Sequence, residues 1–399
     1  MNKLIALFLI LTMHLSCSQQ QNRKTTNTDS PVNIMAYYVA ERDYHPELLP
    51  LEKLTHIIFS FSKVIDGEMK FRREESGRKL ELLTAQREKY PYLKVMIACG
   101  GWGADGFSDA VLTEESRQKF VKSAIAFIEK YRLDGMDVDW EYPGISGAGT
   151  KARPDEDKEN FTQLMRLLRE ELDKLDRPQT LRFASAGWKR YYDFVNLDEV
   201  MKYADFMNVM TYDQAGGASR MTTHHTALGH RSVDDLAGTP LGEAMKKRNE
   251  ELPPEEHKWE PQSAEKIINF CIDKGVNPEQ IVIGAAFYGR GWKGVPPANN
   301  GLYQPNTGAI SGGTSYADLL TDYINKEGYD RHWDSIAKAP FIYSVADSVF
   351  ITYDDPESVK LKTKYAKDMK LGGIMFWQLS SDTKEENSLL NAIYEEATQ

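Results

Sequence analysis

The sequence predicts an α/β protein built on a parallel (β/α)8 TIM barrel, with a small α+β insertion between the seventh and eighth strands. Two observations lead to this prediction. Eight short apolar runs alternate with amphipathic segments along most of the chain, which is typical of parallel strands joined by helices. Two longer stretches, 229–261 and 293–352, interrupt this alternation late in the chain. A chain of 399 residues is long enough for one barrel with an inserted piece.

The apolar runs are short, rich in β-branched and aromatic residues, and bounded by polar or turn-forming residues. They are 34–39, 55–61, 94–98, 135–139, 181–186, 206–210, 281–286 and 373–377. The segments between them place apolar residues three and four positions apart, which favours helices. The clearest helical segments are 115–131, 157–175, 263–274 and 358–369.

The two interrupting stretches follow the sixth and seventh predicted strands. Insertions after barrel strands project at the C-terminal face, where barrel enzymes hold their sites. We therefore expect 229–261 and 293–352 to form walls of a cleft. Tyr303, Tyr316 and Tyr343 of the second stretch are expected to present rings to a substrate. The alternative is that these tyrosines form the small core of the insertion itself.

The first residues resemble an export signal. Lys3 precedes an apolar run, 4–13, that has the length of a signal-peptide core and is too short to span a bilayer. The run leads to HLSC at 14–17, which is similar to the lipobox of bacterial lipoproteins, although His14 stands where an aliphatic residue is usual. We expect Cys17 to be lipidated and the protein to be anchored to the bacterial cell envelope, at the outer membrane or the cell surface. The alternative is a plain secreted form.

The expected domain boundaries follow from these segments. They are 1–16 for the signal peptide, 17–31 for a flexible tether, 32–292 and 353–399 for the catalytic barrel, and 293–352 for the insertion. Besides Cys17, the chain has only Cys99 and Cys271, which fall in a predicted strand and a predicted helix and are expected to be free thiols.

The composition limits the classes of partner that the protein can bind. The chain carries 49 Lys and Arg against 59 Asp and Glu, a net charge of −10, with no basic patch. An acidic chain repels a polyanion, so nucleic acid is excluded as a partner. The sequence has no metal-ligand cluster, phosphate-binding loop or nucleotide fingerprint, so we expect no metal and no cofactor. We also expect a monomer.

One segment, 134–143, concentrates acidic side chains and reads DGMDVDWEYP. Asp137, Asp139 and Glu141 occupy alternate positions, so on a strand they share one face. In a barrel that face points inward, and the last acid lies at the C-terminal rim. Because three neighbouring carboxyls cannot all ionise cheaply, the pKa of at least one must rise. A carboxyl that stays protonated near neutral pH is what the leaving oxygen of a glycosidic bond requires.

A calcium-binding loop and a solvated acidic turn are the structural alternatives for this segment. A calcium loop of the helix–loop–helix type has glycine at its sixth position, where this segment has Tyr142. A solvated turn would not place apolar Val138 and Trp140 between its acids. Both alternatives are therefore disfavoured.

Six motifs, in order along the chain, resemble those of the family-18 glycoside hydrolases, the chitinases and their relatives. The acidic segment matches DxxDxDxE, and Tyr37 matches a first-strand tyrosine. The other matches are 98–102 (ACGGW) to a strand-three SxGG motif, 210–213 (MTYD) to MxYD, 287–292 (FYGRGW) to a YGRGW run, and 372–377 (GGIMFW) to a final strand that ends in tryptophan. The resemblance covers nearly the whole chain after the tether and implies the same barrel with an α+β insertion.

The resemblance also implies a substrate, chitin or chitooligosaccharides, and a retaining, substrate-assisted mechanism. Glu141 would protonate the leaving oxygen, Asp139 would orient the acetamido group, Asp137 would modulate Asp139, and Tyr212 would donate to the acetamido oxygen. The implied substrate-binding residues are Tyr37, Trp102, Tyr142, Met210, Asp213, Tyr288, Arg290 and Trp377. Ala98 stands where the SxGG motif has serine, so a hydroxyl that could bond Asp137 is missing. We expect this difference to adjust the properties of the acid cluster without abolishing activity.

Two other functions remain open. A chitin-binding lectin on the same fold would lack the catalytic acid, whereas Glu141 is present. An endo-β-N-acetylglucosaminidase acting on the chitobiose core of N-glycans would keep the chemistry, but such relatives generally lack the YGRGW run and the insertion. The sequence leaves endo and exo attack undecided.

Overall fold

The computed structural model describes residues 32–40, 45–253, 256, 258–311 and 314–399. The predicted signal peptide, the tether and Cys17 lie outside the described residues. Among the described residues, no helix is both long and apolar enough to cross a membrane.

The fold is a closed barrel with a separate inserted sheet. The strands are β1 (Asn33–Tyr38), β2 (His56–Ile65), β3 (Glu68–Lys70), β4 (Lys94–Gly100), β5 (Gly135–Asp139), β6 (Thr180–Ala186), β7 (Phe206–Met210), β8 (Ile281–Ala286), β9 (Arg290–Lys293), β10 (Gly308–Ala309), β11 (Asp330–Asp334), β12 (Ala339–Ser344), β13 (Val349–Thr352) and β14 (Gly373–Trp377). The parallel strands β1, β2, β4 to β8 and β14 are neighbours in a ring, which closes where β1 pairs with both β14 and β2. The predicted fold class is confirmed, and each predicted run corresponds to one barrel strand.

Helices surround the barrel as predicted. They are α1 (Glu74–Ala85), α2 (Phe107–Ala110), α3 (Glu114–Lys130), α4 (Asp157–Leu172), α5 (Leu197–Val200), α6 (Pro240–Glu251), α7 (Ala264–Asp273), α8 (Tyr316–Asp322), α9 (Pro356–Asp368) and α10 (Leu389–Thr398). The four clearest predicted helices are α3, α4, α7 and α9. Short polar side chains cap several N-termini; Thr113 and Asp355, for example, accept from the backbone N–H three residues later.

Two apolar layers hold the barrel together. The outer layer lies between strands and helices and includes the free, buried thiols Cys99 and Cys271. The inner layer fills the barrel with Met35, Met96 and Met375, among others. Polar side chains also lie inside the barrel. Asp137, Arg182 and Asn208 are 0% exposed, so each needs a compensating partner there.

The insertion is a five-stranded antiparallel sheet, in the order β10-β9-β13-β12-β11, together with α8. The expectation that its tyrosines present rings to a substrate is wrong. Tyr303, Tyr316 and Tyr343 are only 3%, 2% and 2% exposed. Their hydroxyls donate to Asp334 Oδ2, to the Asn387 carbonyl and to the Val295 carbonyl, respectively. Tyr303 and Tyr343 pack in the core of the insertion, whereas Tyr316 at the start of α8 packs against the core of the barrel.

A buried ion pair joins the insertion boundary to the barrel. Lys362 on α9 donates to Asp354 Oδ2 at 2.6 Å, and both side chains are 0% exposed. The same oxygen accepts from the backbone N–H of Ala286 at 2.9 Å, at the end of β8. Asp354 thus fixes the chain where β8 leaves the barrel toward the predicted site.

Asp354→Ala is expected to lower the free energy of unfolding by about 3–5 kcal/mol, because it leaves the Lys362 ammonium buried without its carboxylate. Urea denaturation followed by circular dichroism measures this loss. Asp322→Ala, at an exposed aspartate at the end of α8, is the control and should change stability by less than about 0.5 kcal/mol. Equal stability of both variants would contradict the structural role assigned to Asp354.

Candidate active site

A cavity of about 810 Å³ opens at the C-terminal ends of the barrel strands. The predicted site residues that line it are Tyr37, Trp102, Asp139, Glu141, Tyr142, Met210, Tyr212, Asp213, Tyr288, Arg290 and Trp377. Asp137 does not line the cavity but lies beneath it, inside the barrel. Residues that are far apart in the sequence therefore converge on one site.

The acids lie where β5 meets the rim. β5 pairs with β4 so that Ala98 is beside Asp137 and Gly100 is beside Asp139. Gly100 has a φ of +121°, and a Cβ there would lie 2.0 Å from the Asp139 carbonyl oxygen. Glycine at this position is therefore required for the chain to pass close to the acid-bearing strand.

Asp137 is the innermost acid, and both of its oxygens accept hydrogen bonds. The Tyr37 hydroxyl donates to Oδ2 at 2.8 Å, and Asn208 Nδ2 donates to Oδ1 at 3.2 Å. Burial raises the pKa of Asp137 to about 6, opposed by the Tyr37 hydrogen bond, the charge of Arg182 and the Asn208 hydrogen bond. Without these partners the carboxylate would be more difficult to ionise.

Asp139 and Glu141 share the cavity wall. Burial, followed by the charges of Glu141 and Asp137, raises the pKa of Asp139 well above its usual range. Asp139 Oδ1 is buried and accepts no hydrogen bond from any described residue. Burial and the nearby Asp213 raise the pKa of Glu141 to about 7, opposed by a Tyr142 hydrogen bond and by Lys63. The prediction that at least one carboxyl has a raised pKa is confirmed.

Aromatic rings form the floor and rim of the cavity. Trp377 stacks on Phe61 with ring centroids 5.4 Å apart, and it lies 6.0 Å from the Tyr37 ring. Tyr142 lies 5.3 Å from Trp188, and Trp102 at the rim is 68% exposed. Flat apolar faces of this kind pack well against sugar rings. Phe61 and Trp188 were not among the predicted site residues.

The opposite side of the cavity is polar. Arg290 donates to Asp213 Oδ1 from both Nε and Nη2, at 2.9 and 2.6 Å. Tyr212 packs edge-on against Tyr288, with ring centroids 6.1 Å apart. His225 lies behind them, with Nε2 3.2 Å from the Tyr288 carbonyl oxygen. These contacts fix the directions in which the polar groups face the cavity.

The two stretches expected to wall the cleft differ. Thr314 and Ser315, from 293–352, line the cavity, so that stretch contributes to the wall. No described residue of 229–261 lines it, and the expectation for that stretch is wrong. Its apolar residues Leu236 and Leu241 pack into the core of the insertion instead. The loop after β7 contributes Gly216 and Gly217 to the wall in its place.

The fold and the cavity define a class of barrel enzyme in which a partly protonated carboxyl faces an aromatic pocket, an arrangement suited to cleavage of a glycosidic bond. The sequence profile of the glycosyl hydrolases family 18 matches residues 33–382. The chain belongs to this family.

Relatives and solved structures agree with this assignment. The chain is 37% identical over 311 residues to chitinase A1 of Niallia circulans, covering 75% of this chain and 42% of that protein. It is 31% identical over 388 residues to chitinase B of Serratia marcescens, covering 85% of this chain and 75% of that protein. A family-18 N-acetylglucosaminidase from Paenibacillus barengoltzii superposes with a TM-score of 0.78 at 36% identity, covering 92% of this chain and 99% of that chain. The chain thus spans less than half the length of the Niallia protein.

Proposed function

We propose that this protein hydrolyses the β-1,4 bonds between N-acetylglucosamine units of chitin or chitooligosaccharides by a retaining, substrate-assisted mechanism. The observation that carries the proposal is Glu141, a half-buried carboxyl with a pKa of about 7 on the wall of an aromatic cavity. Chitinases among its family-18 relatives support the choice of substrate.

The other carboxylates of the cavity favour assistance by the substrate. A retaining enzyme that uses its own nucleophile holds a second carboxylate about 5–5.5 Å away, across the sugar from the acid. Among the described residues that line the cavity, the carboxylates besides Glu141 are Asp139 and Asp213. Asp139 is two residues from Glu141 on the same chain segment, and Asp213 is held by Arg290. Together with the resemblance to family 18, this arrangement supports the proposal that the acetamido oxygen of the substrate is the nucleophile.

In the first step the acetamido carbonyl oxygen attacks C1, the glycosidic C1–O bond breaks, and the proton of Glu141 passes to the leaving oxygen. Asp139 accepts from the acetamido N–H and offsets the positive charge that develops on the oxazolinium ring. In the second step a water gives its proton to the Glu141 carboxylate and its oxygen to C1, which reopens the ring. The configuration at C1 is inverted twice and so retained.

The rate is expected to fall as the pH rises above about 7, because Glu141 acts in its protonated form and its pKa is raised to about 7. Above that pH, kcat/KM should fall roughly tenfold per pH unit. Initial rates on chitotetraose between pH 5 and 9 measure this limb. A rate that stays constant up to pH 9 would contradict the acid role.

Product analysis of chitohexaose by mass spectrometry over time tests the proposed function. We expect shorter N-acetylglucosamine oligomers, and a high-mannose glycoprotein should remain intact. Release of single sugars from the start would assign the exo mode of attack. Binding without any cleavage would identify a lectin, and cleavage of the glycoprotein alone would identify an N-glycan hydrolase.

We also propose that the protein is an exported lipoprotein. The apolar run 4–13 and the lipobox-like HLSC at 14–17 support this proposal. In the native host, the wild-type protein is expected to partition with membranes in detergent phase separation, and Cys17→Ala should appear in the soluble fraction or as an uncleaved precursor. Cys271→Ala is the matched control, since it should partition as the wild type does. Identical partitioning of Cys17→Ala and wild type would contradict lipidation.

A further inference from the structure

An arginine lies inside the barrel directly beneath the acid cluster. Arg182 on β6 is 0% exposed, and its guanidinium lies 4.5 Å over the Phe206 ring. Nη1 contacts the sulfur of Met35, and Nε and Nη2 have no hydrogen-bond partner among the described residues. A buried cation with so few donors satisfied is costly unless an anion compensates its charge.

Asp137 is the anion placed to compensate it. In the barrel sheet, the residues in register with Asp137 are Ala98 on β4 and Arg182 on β6. The side chain of Ala98 has no polar group. Of these two neighbours, only Arg182 therefore brings a positive charge next to Asp137. Asp205, the other acid that acts on Arg182, already accepts from Arg169 Nη1 at 3.0 Å.

The hydrogen bonds of Asp137 are those expected of an ionised carboxylate. Each of its oxygens already accepts from a donor, Tyr37 or Asn208, so neither needs to carry a proton. Asp139 is the neighbour whose Oδ1 has no partner. Two adjacent carboxylates ionise with difficulty, so a fixed charge on Asp137 favours a proton on Asp139.

We propose that Arg182 is a positioning residue for the reaction, whose buried charge holds Asp137 as a carboxylate and thereby keeps the proton of the aspartate pair on Asp139 in the free enzyme, before the reaction begins. Arg182 touches no cavity-lining acid and acts through Asp137. The inference rests on the proposed function for its effect on rate, but its effect on Asp137 can be measured without any substrate.

Other groups also face this pair and bear on any pH dependence. They are Tyr37 on β1, His56 on β2, Asp139 and the adjoining Glu141 after β5, Asp205 before β7, and Tyr212 after β7. Burial, the charge of Arg182 and that of Lys94 lower the pKa of His56 well below its usual range, so this ring is neutral at neutral pH. Arg182 keeps a pKa of about 10 despite its burial, and it is therefore charged over the whole working range.

The test is the pH profile of Arg182→Met, a neutral side chain of similar length. Without the guanidinium the pKa of Asp137 rises. The pH below which kcat/KM on chitotetraose falls should therefore increase by about one unit. At pH 5 the rate of the variant should be about tenfold lower than that of the wild type, and above pH 7 the two rates should become equal. Arg117→Met, which removes another buried arginine on α3 far from the acids, should leave the limb in place. A uniform loss at every pH would overturn the proposal, because that is what a merely structural role produces.

Thermal unfolding gives a readout that needs no activity. A carboxyl whose pKa is raised in the folded state stabilises the protein at low pH, and this stability is lost as the pH rises through the folded pKa. In Arg182→Met the loss should therefore continue to higher pH, so that Tm falls more between pH 6 and 8 than in wild type. Arg182→Gln, also neutral, should behave alike. Parallel Tm curves, or failure of both variants to fold, would overturn the role assigned to Arg182. If the wild type did not cleave chitotetraose but the Tm curves of wild type and Arg182→Met still differed between pH 6 and 8, the proposed function would be overturned. The effect of Arg182 on Asp137 would stand.

Discussion

Glu141→Gln is expected to lower kcat on chitotetraose by about 10²–10⁴-fold or more, because glutamine keeps the shape of the acid without a proton to give. Glu141 lies on the cavity wall and its pKa is raised to about 7. The loss should therefore appear in kcat, while KM for the oligosaccharide changes little. Initial rates of reducing-end release measure both parameters.

The control for this variant is Glu115→Gln, at an exposed glutamate on α3. It should keep wild-type kcat, and both variants should unfold at the wild-type temperature. A Glu141→Gln enzyme that keeps more than about a tenth of wild-type kcat on an unactivated oligosaccharide would show that another group supplies the proton.

Asp139→Asn is expected to lower kcat by about 10²–10³-fold, as does the loss of one polar group that stabilises a developing charge. Asp139 lies between Asp137 and Glu141, and its pKa is raised well above its usual range by burial and by these two charges. Asparagine keeps the volume but cannot become the carboxylate that balances an oxazolinium ion. Asp109→Asn, at an exposed aspartate, is the control.

The size of the loss in kcat tests this second prediction. Substrate assistance requires an oriented acetamido group, so kcat of Asp139→Asn should fall because this orientation is lost. If the variant retained more than about a third of wild-type kcat, Asp139 would not orient the nucleophile, and its raised pKa would be a consequence of burial alone.

The barrel could be predicted from sequence because its strands are buried on both faces. Such strands read as short apolar runs, and each predicted run, from 34–39 to 373–377, became a strand. The insertion was harder to interpret. Tyr303, Tyr316 and Tyr343 are equally compatible with a cleft wall and with a core, since aromatic residues serve in both. The pairing of β9, β12 and β13, which are far apart in sequence, builds the core that buries Tyr303 and Tyr343. Tyr316 is buried against the barrel core instead.

The acids of the site could be predicted for a similar reason. Asp137, Asp139 and Glu141 follow the two-residue period of a strand, which is a local signal. Arg182 and Asn208 come from other strands and were missed. Each is a polar residue within an otherwise apolar run, and that interruption was the one signal available. Phe61 within β2 and Trp188 just after β6 give no such signal, because their place at the cavity depends on how the strands are arranged in the closed barrel.

The central claim is that a single acid, Glu141, cleaves the sugar chain with the substrate's acetamido group as nucleophile. The most direct measurement is the anomeric configuration of the new reducing end, followed by proton NMR during the first minutes of chitotetraose hydrolysis. The account predicts that the β-anomer appears first and then mutarotates to the equilibrium mixture. Initial release of the α-anomer would mean direct attack by water, and it would contradict the mechanism.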